Sequence, residues 1–568
     1  MKKLVGIVLL CLIAAALYAV PPMPGSRPTH DGSQHPEINP LPFRSPSKQA
    51  VHSSLQKSAP LAHPIIENRN LLVILVNYDD LKFSFLGAGA TDKDYKNYYL
   101  NLLQNNTYSM TQYFKDMSGG KLNLTFTVLG PYNLANPKAH YGKNTSNSNG
   151  IGDDKPGNLV YDAIDKAYTE GGLNAKLWAD YADNWDYDND GKIDTIFVIH
   201  AGIGEEEGTD TDAIFSQQWD LNSAYDYERS DYSACSVEFG GKEKFFNSFT
   251  IEPEYNSQGT VDGAAIGIFC HEYSHVLGLK DLYDTTYETN GVGYWSLMSF
   301  GSWGSYGAGN SIPGTDPIPL LAWEKYYLGW LTPIIITPTA KPQTYNFSDI
   351  ESSREAWVIP LNPSCSQYLI LEGKKRNWTG TGWAVQEDGL LITHIDEDVL
   401  FKYWGNNINI SKTRVHGINI VEALSPYYET TGLGNQWNEP FIDSGIVCFR
   451  NNTKSILVPS YPKAAACIGF LVSLLLLHRK RKKLGMMLLI CCIACIIACD
   501  NGSDDDNGGI VIPDGDTGFH YVKGQDIPNT NYYTSELVTS KTGISGIIIT
   551  VDCPEGSSSG SFTVMKEE

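Results

Sequence analysis

The chain has 568 residues, with 64 Asp and Glu against 42 Lys and Arg and a formal net charge of -22. That length accommodates two to four domains, and the acidic balance excludes a nucleic-acid binder, whose footprint would be basic. Between Asn68 and Pro459 the only cysteines are Cys235, Cys270, Cys365 and Cys448, which permit three disulfide pairings or, equally, free thiols.

The chain opens with Lys2 and Lys3, an apolar run from Leu4 to Leu17, and Ala19 before Val20-Pro21-Pro22. This pattern reads as a secretory signal peptide over residues 1–19, too short for a membrane span, so export is expected. Residues 20–67 are rich in Pro, Ser and His and read as a propeptide or linker. No cysteine lies between Cys11 and Cys235, which excludes latency through a propeptide thiol; His30, His35, His52 and His63 are the alternative ligands this segment offers.

Soon after Asn68, LLVILVNYDD is a continuous apolar run suited to a buried strand. Asn106–Met117 carries Tyr, Met and Phe at helical spacing, stopped by Ser118-Gly119-Gly120. Lys121–Leu129 alternates like a half-buried strand and Leu159–Tyr168 reads as a helix, so a mixed sheet with helices packed on it is expected. In DYDNDGKID, Asp186, Asp188 and Asp190 alternate and Gly191 permits a sharp turn. Lys192 offers a main-chain carbonyl and Asp194 returns a carboxylate, a hard-oxygen set suited to structural Ca2+. It is not an EF-hand, since the twelfth position is Phe197; the plain alternative is a solvated acidic turn. His200 reads as a satisfied core histidine ahead of a cleft-lining group. Phe249–Glu254 reads as a connecting strand or as one that aligns an extended substrate through main-chain hydrogen bonds.

GAAIGIFCHEYSHVLGLKDLYD, residues 263–284, concentrates the groups a catalytic zinc needs. His271 and His275 stand four apart and leave one helix face together, with Glu272 between them as general base for water at the metal. Ile266, Phe269, Tyr273, Val276 and Leu277 form an apolar stripe on the opposite face. Gly278 tolerates positive φ, so the helix can stop and the chain can return Asp281 as third ligand. Met298, in GVGYWSLMSFGSWG, sits where metzincin-type proteases place a methionine beneath the metal. Asp284 is a candidate to orient a ligand, and Tyr283, Tyr294 and Tyr306 are candidates to stabilise an oxyanion. PLLAWEKYYLGWL, residues 319–331, reads as the helix that completes the domain.

HEYSHVLGLKDLYD, YWSLMSFGSWG, DYDNDGKIDTIFVIHAG and AWEKYYLGWL resemble, in order, the motifs of the immune inhibitor A-like secreted bacterial metallopeptidases; GLLITHID, residues 389–396, resembles that of their following β-rich region. The resemblance covers roughly Asn68 to Pro459. It implies a zinc endopeptidase with His271, His275 and Asp281 as ligands and Glu272 as base. It also implies a propeptide, frequent calcium binding and action outside the cell. An Asp where metzincins often have a third His is the departure within the site.

The expected fold is an α+β zincin/metzincin-like catalytic domain over 68–331, followed by a β-sandwich-like accessory region over 332–459, where AWVIPL, QYLILEG and GINIVEA alternate. Residues 460–483 join an apolar stretch to a basic cluster, and 484–499 are apolar with a lipobox-like Ile496-Ile497-Ala498-Cys499. These segments suggest membrane association as an anchor or hairpin, or the leader of a second lipoprotein joined in frame. Residues 500–568 are an acidic Gly/Ser spacer and an unassigned tail. The function expected is hydrolysis of extracellular proteins or peptides with Zn2+ and Ca2+. The alternatives are a calcium-binding surface adhesin without turnover and a processing peptidase with one partner.

Overall fold

The structure is a computed structural model that describes residues 67–421, apart from 148–149, 208–209, 229–234, 255–264, 286–290, 305–312, 362–365, 376–382, 384–387, 403–407 and 410–415, together with 18–19, 454–458, 547–552 and 559–566. In chain order the first elements are β1 (Tyr18–Ala19), β2 (Glu67–Asn77), helices α1 (Asp92–Leu100) and α2 (Met110–Ser118), and β3 (Leu122–Asn133). A short hairpin, β4 (Asn144–Asn147) and β5 (Gly150–Asp153), precedes helices α3 (Pro156–Thr169) and α4 (Ala175–Trp185). Then come β6 (Lys192–Ile193), β7 (Ile196–His200), β8 (Gln217–Asp220), β9 (Cys235–Phe239), β10 (Lys242–Phe246) and β11 (Ser248–Pro253). Helices α5 (Ile266–Val276) and α6 (Ala322–Tyr327) follow.

The main sheet has the order β1-β8-β11-β7-β2-β3. β3, β2, β7 and β11 run parallel, while β8 is antiparallel to β11 and β1 antiparallel to β8. The apolar run of β2 is buried on both faces, and its period of two sorts the side chains into two cores. Leu71, Val73 and Leu75 join Phe197, Ile199 and the residues of α2 and α5. Leu72, Ile74 and Val76 join Ile196, Val198 and the residues of α3 and α4. Two turns behave as their residues dictate. The Ser109 side chain caps α2 by accepting from Gln112 N at 3.3 Å, and Gly119 ends the helix at φ 65°.

Of the two readings of Phe249–Glu254, β11 is the connecting strand and not an edge that aligns substrate. It holds Phe249–Pro253 between β7 and β8, so both of its backbone edges are hydrogen-bonded and neither is open to a peptide. The helix expected at 319–331 is the shorter Ala322–Tyr327. His200 lies in the core, its Nδ1 3.0 Å from the Ala201 carbonyl, and burial pulls it down to about 4. Cys235 and Cys270 are buried free thiols, and burial pushes both upward; Cys365 and Cys448 lie outside the described residues.

Beyond residue 331 the described chain is mostly strand. β12 (Ile334–Ile335), β13 (Gln343–Phe347), β14 (Ala356–Pro360), β15 (Gln367–Lys374), β16 (Gly389–Asp396) and β17 (Ile418–Val421) are followed by β18 (Lys454–Val458), β19 (Ile547–Asp552) and β20 (Gly560–Lys566). They form a five-stranded sheet, β12-β14-β15-β16-β17, and a four-stranded one, β13-β20-β19-β18. Phe562 of β20 meets Trp357 of β14 edge-on at 5.1 Å and stacks on Tyr345 of β13 at 5.4 Å. The core containing α5 runs on through Trp323, Tyr326 and Trp330 into Val358, Ile370, Leu391 and Ile395. Among the described residues no helix is long and apolar enough to cross a membrane; the apolar segments 464–477 and 484–499 lie outside them.

α5 is pressed against backbone, not only side chains. Gly267 N donates to Gly314 O at 2.8 Å, and a Cβ built on Gly267 would lie 1.9 Å from the Ser302 carbonyl oxygen. Gly to Ala inside a helix normally gains about 0.5–1 kcal/mol. Here the clash outweighs it: Gly267→Ala is expected to destabilise by about 1–3 kcal/mol in denaturant unfolding, and a neutral or stabilising result would show that the contact yields.

Candidate metal centre

Every residue of α5 is buried, so the apolar stripe read from the sequence is only part of its packing. The helix ends at Leu277, and Gly278 takes φ 101°, the left-handed turn a glycine allows. Gly278 N bonds His275 O at 2.9 Å and Leu279 N bonds Ser274 O at 3.0 Å, which turns the chain back across its own last turn. Asp281 is thereby delivered to the histidine face. Its Oδ1 lies 3.1 Å from His271 Nε2 and 3.3 Å from His275 Nε2, and the two Nε2 atoms are 3.2 Å apart. A tetrahedral ion with bonds near 2.0–2.1 Å separates its ligand atoms by about 3.3 Å. The three atoms already stand at that spacing.

The imidazoles are oriented from behind. His271 Nδ1 lies 2.9 Å from the Leu297 carbonyl and His275 Nδ1 lies 3.0 Å from the Leu279 carbonyl. A carbonyl can only accept, so each Nδ1 carries the proton and each Nε2 presents its lone pair to the shared point. Burial pulls His275 below its ordinary value, with Asp281 opposing. Burial alone would push Asp281 up, but the two imidazoles more than offset it and hold the carboxylate below its usual range. Neutral imidazoles and an ionised carboxylate are the protonation states a metal requires. Glu272, between the histidines, is fully buried.

Met298 is fully buried in a segment that is tied to the ligands twice. Leu282 N, next to Asp281, donates to Met298 O at 2.7 Å, and the preceding carbonyl, of Leu297, orients His271. A clamp not foreseen from the sequence holds this turn. Ser296 Oγ accepts from Met298 N at 2.9 Å and donates to Glu324 of α6 at 2.8 Å. Burial pushes Glu324 up to about 7, with Leu321 N and Ser296 opposing. Backbone carbonyls leave no signal in a sequence; the one visible hint was Glu324 within the AWEKYYLGWL motif. Tyr283 and Tyr294 both pack on Phe300, Asp284 is buried, and Tyr306 lies outside the described residues.

Asp186, Asp188 and Asp194 each bring a carboxylate oxygen within 4.8 Å of the others. Asp190 does not join them. Its carboxylate takes Lys192 Nζ at 3.0 Å and Lys192 N at 2.8 Å. The loop folds over its own acids: Asp190 N and Gly191 N donate to Asp186, and Tyr187 N donates to Asp194 Oδ2 at 2.7 Å. Lys244 of β10 pairs with Asp186. Burial, with Asp188 adding to it, pushes Asp194 up to about 8, the response of carboxylates crowded without enough positive charge.

The Ser296 clamp can be tested apart from the ligands. Ser296→Ala strands the Met298 amide and a buried carboxyl, which should cost about 1–3 kcal/mol. Loosening the turn behind His271 should also weaken metal retention by about 10–100-fold in chelator competition. Unchanged retention would separate the clamp from the metal centre.

Residues 68–331 match the family model described as immune inhibitor A peptidase M6, catalytic domain. Over 264 residues the chain is 34% identical to the pre-pro-metalloprotease PrtV of Vibrio cholerae serotype O1, a match covering 44% of this chain and 26% of that protein. Over 289 residues it is 31% identical to immune inhibitor A of Bacillus thuringiensis subsp. alesti, covering 46% of this chain and 40% of that one. The chain thus spans less than half the length of either relative. The sheet of mixed direction, the His-Glu-His helix and the returning Asp281 lie inside the matched residues, and they make 68–331 a zincin-like catalytic domain of the immune inhibitor A-like metallopeptidase family.

Proposed function

We propose that this chain is an exported zinc-dependent endopeptidase that hydrolyses peptide bonds of extracellular proteins. The observation that carries this reading is the convergence of His271 Nε2, His275 Nε2 and Asp281 Oδ1 at tetrahedral spacing, with Glu272 on the helix turn between the histidines. Zinc held by those three atoms would supply Lewis acidity toward a peptide carbonyl and toward water. Glu272 takes the proton from the attacking water and delivers it to the leaving amine.

β8, not β11, is the strand placed to align a substrate. It packs beside α5, and its outer edge at Gln217–Gln218 takes β1 as an added antiparallel strand. That is the way extended peptides are bound by main-chain hydrogen bonds. β1 falls within the segment read as a signal peptide, so processing after Ala19 would vacate this edge. We read the two sheets beyond residue 331 as a sandwich-like accessory region that supports the domain, since Asn409 Nδ2 donates to Leu282 O at 2.9 Å, next to Asp281. Export rests on residues 1–19, and surface anchoring on the apolar segments within 460–499.

Glu272→Ala is the decisive variant. Casein hydrolysis should fall by several orders of magnitude while bound zinc, measured by elemental analysis, stays near one per chain. In the parent protein, chelation should abolish turnover and zinc should restore it. Turnover in neither chain, even after residues 20–67 are removed, would favour the calcium-binding adhesin or the single-substrate processing enzyme. An intact Glu272 argues against the adhesin, because a structural zinc site uses no base.

The Asp186–Asp194 loop is a structural Ca2+ site on this reading, with Asp186, Asp188, Asp194 and the Lys192 carbonyl as ligands and Asp190 held by Lys192. Calcium should raise the thermal midpoint of the parent chain, and Asp188→Ala should remove most of this loop's share of the rise. An identical calcium response in parent and variant would reject the loop as the site.

A further inference from the structure

A second group of buried oxygens lies at the far end of β8, away from the Asp186–Asp194 loop in sequence and sharing no residue with it. The β4–β5 hairpin sets Asn144 directly opposite Asp153. Asp153 is 1% exposed, and its Oδ2 accepts from Phe215 N at 3.1 Å and from Gln217 Nε2 at 3.0 Å. Asn144 Nδ2 donates to the Glu205 carboxylate, and Asn144 N is tied to Thr211 O at 3.0 Å. Glu205 N in turn bonds Ile214 O at 3.0 Å. The four side chains form two bonded pairs, Asp153 with Gln217 and Asn144 with Glu205, which the hairpin register sets beside each other between the turn at 205–207 and the first residue of β8.

The bonds inside the cluster engage an amide N–H of both Asn144 and Gln217. The side-chain atoms of these residues left without any partner are acceptors. Asn144 Oδ1, Asp153 Oδ1 and Gln217 Oε1 are buried and have no donor among the described residues. No cationic side chain of the described residues pairs with Asp153, and burial first, then Glu205 and Glu206, press its carboxyl toward the neutral form. An acceptor buried without a donor costs about 1–3 kcal/mol, and a buried charge costs more. Three such oxygens stand on residues that the hairpin register brings together, beside a second carboxylate, and all are of one polarity. Oxygen-only donors of mixed carboxylate and amide type suit a hard ion of 6–8 coordination, and the absence of sulfur or imidazole among them disfavours a transition metal.

We propose that Asn144, Asp153, Glu205 and Gln217 form a second divalent-cation site, of calcium type, that fastens the β4–β5 hairpin to the strand beside α5. The inference does not depend on proteolysis, and the site is distinct from the Asp186–Asp194 loop. The ion supplies the positive charge that no side chain among the described residues brings to Asp153. Because Gln217 opens β8, losing the ion frees the start of the strand that flanks the metal centre.

The test uses the full chain carrying Glu272→Ala, so that self-digestion does not enter, with Asp188→Ala added to disable the loop. Calorimetric titration with CaCl2 after chelator treatment should still find about one Ca2+ per chain. Adding Asp153→Asn should weaken that binding at least tenfold and remove the residual calcium-dependent rise in thermal midpoint. If Asp153→Asn does not fold, Gln217→Glu serves instead, since a further carboxylate in the cage should strengthen calcium binding while destabilising the calcium-free chain. No calcium bound once the loop is disabled would overturn the proposal. So would unaltered calcium binding in Asp153→Asn.

Discussion

The metal centre depends on two backbone carbonyls. Leu297 O and Leu279 O each accept from an Nδ1 of the His pair, and this alone decides that both Nε2 lone pairs face the same point. Each carbonyl is where it is for a different reason. Leu279 follows the left-handed turn at Gly278, so the residue that ends α5 also orients its second histidine. Leu297 sits in the Met298 turn, which the Ser296–Glu324 clamp fastens to α6. Around these contacts all of α5 is buried, so the imidazoles cannot swing to solvent and the ligand triangle is formed by packing.

The sheet places that helix. Parallel strands with continuous apolar runs must be covered on both faces, and β2 divides its side chains between two cores accordingly. α5 covers one face, α3 and α4 the other, and the antiparallel β8 closes the side of the sheet nearest α5. The direction of β8 matters for function. It is the one strand of the described sheet whose neighbour beyond is a two-residue segment, so its edge is open to exchange in a way that the edges of β11 are not.

Much of this was legible in the sequence because the relevant signals are local. HExxH puts His271 and His275 on one face of α5 by helical period, and Gly278 announces the return that delivers Asp281 to that face. The run 71–76 announces a doubly covered strand, and Ser118-Gly119-Gly120 announces a stop. What could not be read was non-local. The interior place of β11 depends on which strand pairs with it, and pairing leaves no mark within the strand. Asp190 alternates with its neighbours as a ligand should, yet Lys192, two residues on, takes its carboxylate. The cage at Asn144, Asp153, Glu205 and Gln217 draws its residues from three separate stretches, none of which has the spacing of a motif.

The same distinction bears on where the catalytic unit ends. The sequence pattern changes from helical to alternating near Thr332, and the family match ends at 331. The core does not end there. Ala322 N, at the start of α6, donates to Glu372 of β15, Lys325 pairs with Glu351, and Asn409 reaches the carbonyl of Leu282. α6 carries Glu324, which holds the Met298 turn, and Leu282 follows Asp281. The β-rich region therefore braces both loops that complete the metal centre, one through Glu372 and one through Asn409. A chain cut at 331 would keep His271, His275 and Asp281 and lose these contacts to α6 and to Leu282. The contacts of residues 68–331 with the chain beyond them thus reach at least to Asn409, between β16 and β17.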